Sequence, residues 1–308
     1  MNAPDVIVIG EVLVELSATQ PLADGVTLRL GFSGDALNAA AAAAAAGART
    51  ALLTRVPDDE LGDRLVERVA GLGVDTGLIL RVPGQHGLYL QHADPNGARP
   101  FVYVRRASAA SGLGPADLPV ELIAAAGAVL AGGVACAVSE TMAAAVLRAA
   151  ELARRFVYDP NWRPRLATAE QAAATLRRLA PLAALVTPSW PSEVSALLGA
   201  DSPEQGVAAV RALGAAAAAV TCGPDGVLVD AGQGPVAVPG YPAPAVVDQT
   251  GAGDVLAGTV TARLALGDDL VTAVRLGAAA AALSVQGLGG TGFLPTLVQT
   301  RELVEASR

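Results

Sequence analysis

The chain has 308 residues, 52% of them hydrophobic but only 3% aromatic, and much of the apolar content is alanine. Such a length holds one large α/β domain or two smaller ones, and a core with so few rings must be built from close-packed backbones and small aliphatics, as when helices layer on a sheet. A net charge of −8 with no basic block argues against a protein whose main partner is nucleic acid, and because all 21 Lys+Arg residues are arginine, chemistry that needs a P-loop, Schiff-base or kinase β3 lysine is excluded.

The opening stretch MNAPDVIVIGEV has no basic n-region and its apolar run is broken by Glu11, so it reads as neither a signal nor a transit peptide, and a cytoplasmic location is expected. Strand-like and helical stretches then alternate: VIVIG, DALNAAAAAAAAGA, TALLTRV, DDELGDRLVERVAGLG, AVLAGG, SETMAAAVLRAAELARR, FVYDPN and LAALVTP. This is the βαβ rhythm of an open parallel sheet. The alanine run at 39–46 is expected to be a closely packed helix, capped at its start by Asp35 and Asn38 and closed by Gly47.

Two regions break the rhythm. Residues 12–33 and 78–105 carry β-type segments, among them GLYLQHAD and RPFVYVRR joined by the turn PNGA, with no helix between them. A hairpin inserted into an α/β chain serves as a lid over a site or as an edge for dimerisation, and both readings stand. The apolar stretch LIAAAGAVLAGGVACAV (122–138) approaches the roughly 17 residues of a short membrane span. Its Gly-Gly pair and low bulk make it instead a helix end followed by a buried parallel strand that stops at Gly132-Gly133. Cys136 and Cys222 lie far apart and the only histidines are His86 and His92, so buried free thiols are expected rather than zinc or a disulfide. The last third, from VTCGPDGVLVDAGQGPVAVPG onward, gives short strands with glycine turns, then helices from Gly253 to about Gly267 and from Asp269 to Val285.

At 246–260 the chain reads VVDQTGAGDVLAGTV, an apolar strand turning into a small-residue helix. Glycines at such a junction let the backbone turn sharply and leave first-turn N–H groups free for an anion. Asp254 then has two readings: an N-cap or first-turn carboxylate, or a base that deprotonates an attacking hydroxyl while Gly251, Ala252 and Gly253 hold charge developing on a phosphate. Phosphoryl transfer is largely a matter of positioning and electrostatics, so a weak base and well-aimed N–H donors suffice without lysine.

DQTGAGD followed by a small-residue helix resembles the C-terminal signature of the ribokinase-like (PfkB) carbohydrate kinases, and GFSGDALNAAAAAAAAG (31–47) looks like the family's N-terminal Gly-rich, Asn-containing signature. The resemblance runs over nearly the whole chain and implies a single ribokinase-like α/β domain over 1–308. A central mostly parallel sheet would be flanked by helices, with a small β-sheet lid from about 12–33 and 78–105. It also implies an enzyme that uses ATP and Mg²⁺ on a small-molecule sugar, with no nucleic-acid or membrane partner, as a homodimer through the lid or a higher homo-oligomer. Dependence on a monovalent cation is left open.

Within the family, GLYL with Tyr89, VYVRRASAAS with Tyr103 and Arg105, and YDPNWRPRL with Arg163 resemble the 2-keto-3-deoxygluconate (KDG) kinases. A carboxylate substrate suits a bidentate arginine and tyrosine hydroxyls suit sugar hydroxyls. The competing readings are edge-strand charges for Arg105 and Arg106, cross-strand packing for Tyr89 and Tyr103, and an ion-paired loop position for Arg163.

By the same resemblance Gly34 and Asn38, with Asp35 beside them, bind sugar hydroxyls. The turn TCGPDG places Thr221, Gly223 and Gly226 near ATP, unless it is simply a hairpin turn. The chain departs from the family in three places: Trp190 replaces the Asn of Asn-x-x-Glu, leaving Glu193 as the metal-site acid; QGLGGTGF lacks an acid expected in some KDG kinases; and Ser33 replaces the first glycine of the usual pair. The leading expectation is an ATP-dependent kinase for a terminal hydroxyl of KDG or a close sugar acid. The alternatives are a kinase for a neutral sugar or nucleoside, a non-catalytic sugar-binding regulator, and a nucleotide-binding oxidoreductase, the last weakened because no G-x-G-x-x-G follows the first strand.

Overall fold

The computed structural model describes residues 3–92 and 101–307. In chain order they form β1 (Val6–Ile9), β2 (Leu13–Ser17), β3 (Arg29–Ser33), α1 (Asp35–Ala45), β4 (Thr50–Pro57), α2 (Glu60–Gly71), β5 (Ile79–Val82), β6 (Leu88–Gln91) and β7 (Phe101–Val104). There follow α3 (Val120–Ala125), β8 (Ala128–Gly132), α4 (Gly133–Val138), α5 (Glu140–Leu152), β9 (Phe156–Asp159), α6 (Ala169–Leu179), β10 (Ala183–Val186), α7 (Ser192–Leu198) and α8 (Pro203–Ala212). The chain ends with β11 (Ala218–Thr221), β12 (Gly226–Asp230), β13 (Val236–Pro239), α9 (Ala252–Ala265), α10 (Leu270–Ser284) and α11 (Leu297–Ala306).

Nine strands make one sheet in the order β13-β12-β11-β10-β9-β8-β1-β4-β5. From β5 across to β11 neighbouring strands run parallel, and only β12 and β13 are antiparallel additions at one edge. Every residue of β1 is buried, as a strand covered on both faces requires. The stretch 122–138 resolves as expected into the end of α3 and the buried strand β8, and Gly133 then opens α4. Among the described residues no helix is long and apolar enough to cross a membrane.

The alanine run forms α1, with Ala39 through Ala43 buried. Its small side chains let α1 approach α9 closely: a Cβ added to Gly258 of α9 would sit 2.1 Å from the Ala39 carbonyl oxygen, a contact only glycine permits. The expected side-chain caps of α1 are absent. Gly34 occupies the N-cap position with no side-chain hydrogen bond, and the Asn38 side chain turns into the cleft described below.

The second sheet has the order β3-β2-β6-β7. It comes from the two segments that break the βαβ rhythm, with one correction: β5, inside the 78–105 segment, pairs in parallel with β4 and belongs to the large sheet. The turn PNGA lies outside the described residues. One face of the small sheet presents Leu13, Ser33, Tyr89, Phe101 and Tyr103 to a cleft at the C-terminal ends of the parallel strands, the usual ligand side of such sheets. Cys136 and Cys222 are free thiols, half-buried rather than buried.

Candidate active site

The helix start foreseen at DQTGAGD is α9. Gly251 is its N-cap residue in the left-handed region (φ 83°), and a Cβ there would lie 2.7 Å from the Gly290 Cα, so the turn requires glycine. No side chain caps this helix, and the Ala252 N–H makes only a long 3.3 Å bond to the Gln249 carbonyl. Because Gly251, Ala252 and Gly253 line the cleft, the first-turn N–H groups and the positive end of the helix dipole face a space where an anion can sit.

Asp254 is neither N-cap nor cap partner. It is third in the helix, 8% exposed, and both its oxygens are taken by side-chain amides: Asn38 Nδ2 donates to Oδ2 at 2.8 Å, and Asn161 Nδ2 donates to Oδ1 at 3.0 Å. Ser33 Oγ donates to Asn38 Oδ1 at 3.3 Å, which orients that amide. Burial pushes the Asp254 pKa up to about 6, against the pull of the Asn38 hydrogen bond, the Arg163 charge and the Asn161 hydrogen bond. Three further acids line the cleft, Asp35, Asp159 and Glu193. Asp35 is raised to about 7 by burial and by repulsion from Asp254, and Asp159 is raised well above the carboxylate range, chiefly by burial and then by Glu193 and Asp254.

On the small sheet Tyr89 stands directly opposite Tyr103, with ring centroids 6.1 Å apart and Phe101 5.5 Å from Tyr89. The cross-strand packing reading is therefore correct for both tyrosines, although both also line the cleft. The Tyr89 hydroxyl donates to Glu15 Oε2 at 2.5 Å. The edge-strand reading fails for Arg105, which is 9% exposed; Arg106 is exposed but lies in a turn beyond β7. Arg105 is ion-paired with Glu11, itself fully buried, and lies 5.3 Å from the Tyr103 ring centroid. Burial and the neighbouring Arg163 charge lower its pKa to about 10.

Arg163 contrasts with it. It is exposed, reaches only the Trp162 carbonyl at 3.5 Å, and makes no ion pair among the described residues, so the ion-paired loop reading is not met. It lines the cleft beside Asp35, Asp159 and Asp254 and lowers the pKa of all three. Glu193 is buried and committed to the protein: Oε1 accepts the Trp162 N–H at 2.5 Å, while Oε2 accepts the Ser189 N–H at 2.7 Å and the Ser189 hydroxyl at 2.9 Å. It clasps two loops together. No group of three or more His, Cys, Asp or Glu side chains among the described residues could hold a metal ion unaided.

The cleft, of about 490 Å³, continues into a cavity of about 550 Å³ through the shared residues Thr221, Gln249, Ala252, Gly253 and Leu256. Thr221, Gly223 and Gly226 line this second space. They also form the turn between the antiparallel strands β11 and β12, so the hairpin and the cavity wall are the same structure.

The model of the "pfkB family carbohydrate kinase" matches residues 3–297. The chain belongs to this family. It is 34% identical over 309 residues to a 2-dehydro-3-deoxygluconokinase of Thermoproteus tenax, covering 97% of this chain and 94% of that protein. It is 30% identical to Fructokinase-1 of Oryza sativa subsp. japonica, covering 98% of each. Among solved structures, a putative ribokinase II of E. coli in complex with ATP and Mg²⁺ superposes with a TM-score of 0.87 at 24% identity, over 98% of this chain and 99% of that one. The ribokinase-like fold and a sugar-kinase activity follow for this pfkB member.

Two cleft groups, Asp159 and Asn161, escaped the sequence reading, as did the roles of Glu11 and Glu15, which hold Arg105 and Tyr89. Asn161 had a local signal, because it adopts a left-handed conformation (φ 40°) that asparagine tolerates better than most residues. Glu11 had another, an acid interrupting an apolar run. With Asp254 as the base, Asp254→Asn is expected to lower kcat for sugar phosphorylation by about 10²–10⁴-fold while leaving nucleotide affinity nearly unchanged. Steady-state kinetics and nucleotide titration measure both, and near-normal kcat would remove Asp254 from the chemistry.

Proposed function

We propose that this pfkB-family kinase phosphorylates a terminal hydroxyl of 2-keto-3-deoxygluconate or a closely related sugar acid, with ATP and Mg²⁺. The observation that carries the reading is Arg163, an exposed arginine without an ion pair in a cleft otherwise rich in carboxyl groups. A cation beside so many acids is well placed for a substrate that brings its own carboxylate. The similarity to the 2-dehydro-3-deoxygluconokinase supports the same class.

In this reading Asp254, held by Asn38 and Asn161, accepts the proton of the attacking hydroxyl. Gly34, Asp35 and Asn38 take sugar hydroxyls, the Tyr89–Tyr103 face closes over the ring, and the small sheet acts as a lid that keeps water out. The Gly251–Gly253 turn receives the transferred group. The residues fit a nucleotide: the uncapped start of α9 with open space above Gly253 leads into a cavity with an apolar far end. When bound, ATP supplies the phosphoryl group and Mg²⁺ neutralises charge on its phosphates. Glu193, whose oxygens already accept three protein hydrogen bonds, together with Asp159 and the Thr187 hydroxyl, which has no hydrogen-bond partner, would meet that ion through its water shell, as Mg²⁺ permits. A cytoplasmic setting belongs to the same reading.

A neutral sugar is the second reading, favoured by the Glu11 partner that already neutralises Arg105 and by the similarity to Fructokinase-1. ADP release measured against KDG, 2-keto-3-deoxygalactonate, gluconate, fructose, ribose and adenosine separates the two. We expect the keto-deoxy acids to lead, and Arg163→Ala to raise KM for them at least about tenfold, the scale of one charge-assisted bond, with little change for neutral sugars. Preference for fructose or ribose, or equal effects on both classes, would reassign Arg163 to structure.

The far face of the small sheet supports a homodimer. Register places Val14, Leu16, Leu30, Phe32, Leu88, Leu90, Val102 and Val104 on it, and Leu30, Val102 and Val104 are 52%, 47% and 59% exposed. A continuous apolar sheet face of this kind is suited to a second copy of itself. Sedimentation velocity should give a dimer for the wild type and a monomer for Val104→Asp, whereas a wild-type monomer at micromolar concentration would dismiss the interface.

A further inference from the structure

The loop QGLGGTGF that follows α10 carries no acid, and its contribution to the site comes from a residue with no side chain. Gly290 is buried. A Cβ built on it would fall no more than 2.5 Å from Cγ, Oδ1 and Nδ2 of Asn38, its three nearest neighbours. Backbone conformation does not require glycine there, since Gly289 has a positive φ (74°) and Gly290 does not. The Asn38 amide requires it. Gly290 also lies against the anion turn, its Cα 2.7 Å from where a Cβ on Gly251 would sit, so the loop packs on both parts of the proposed machinery.

The loop is pinned on either side of this contact. The Gly289 N–H donates to Asp248 Oδ2 at 3.0 Å, and Arg68 Nη2 donates to the Thr291 carbonyl and hydroxyl at 3.3 and 3.2 Å. The Asn38 side chain is therefore the part that can yield, by turning about its own torsions, and turning away from position 290 takes Nδ2 off Asp254 Oδ2, to which it now donates at 2.8 Å.

We infer that Gly290 is a positioning residue for phosphoryl transfer: its bare Cα leaves the Asn38 amide the only room in which it can donate to Asp254. The kinetic consequence rests on the reading of Asp254 as the base; the contact does not.

The test is a double-mutant cycle of Gly290→Ala with Asn38→Ala, read by thermal unfolding and by the pH dependence of kcat and kcat/KM with the best sugar found. Alone, Gly290→Ala is expected to lower Tm and to lower kcat about tenfold or more. The charged form of Asp254 loses a donor, so the acid limb should move up by about one to two pH units. In the Asn38→Ala background the added methyl enters space the amide has left, and all three readouts should stay unchanged. Equal losses in both backgrounds mark a general loop defect and overturn the inference, as does a Gly290→Ala enzyme with wild-type kcat and pH midpoint. If Gly290→Ala alone does not fold, the double variant must fold, and failure of both overturns the inference as well. Failure of the base reading is seen separately, as near-normal kcat in Asp254→Asn.

Discussion

As the proposed base, the Asp254 carboxylate must remain ionisable in a place where desolvation favours its protonated form and where, in the proposed reaction, a phosphate adds further negative charge. The protein meets that constraint with two neutral amides rather than a cation in direct contact. Asn38 and Asn161 supply N–H donors that favour the charged form without neutralising it, so the group keeps its basicity. Much of the surrounding architecture serves to put those amides there. Asn38 reaches Asp254 because α1 and α9 lie almost in backbone contact, with Gly258 against Ala39. The alanine run that looks like low complexity is thus part of what sets a 2.8 Å hydrogen bond.

A chain without lysine must handle anions by other means, and the cleft divides that task. The start of α9 offers backbone N–H groups and a helix dipole, which hold charge in fixed directions and need no flexible side chain. The two arginines differ in kind despite their similar place in the sequence reading. Arg105 ties the small sheet to the end of β1 through the buried Glu11, so removing either partner would strand a charge out of water, at about 3–5 kcal/mol. Arg163 has no ion pair among the described residues, which is what the proposed carboxylate role asks of it.

The α9 junction, the alanine helix and the parallel core were legible in the sequence because each is signalled locally, by glycines before a small-residue helix or by unbroken apolar runs. The partners of Asp254 were not equally visible. Its bonds to Asn38 and Asn161 span 216 and 93 residues, and no periodicity encodes which amides meet across such distances. Asn38 was found through the resemblance to a family motif, while Asn161 sat unremarked within the quoted YDPNWRPRL. β5 was assigned to the lid because a four-residue strand carries no mark of its partner; pairing with β4 is a tertiary choice. Arg105 was read as a substrate cation for a related reason, since nothing local marks its buried partner Glu11, which follows β1 of the other sheet.

The most direct test of this account is the pH dependence of kcat/KM for the wild type and for Asn38→Ala. In the free enzyme the base must be ionised, so activity should fall as pH drops through a midpoint near 6. Removing the Asn38 donor deprives the charged form of a hydrogen bond and should move that midpoint to higher pH. A wild-type acid limb near the ordinary aspartate value of about 4, unmoved by Asn38→Ala, would contradict the claim that Asp254 is a buried base tuned by its amide partners.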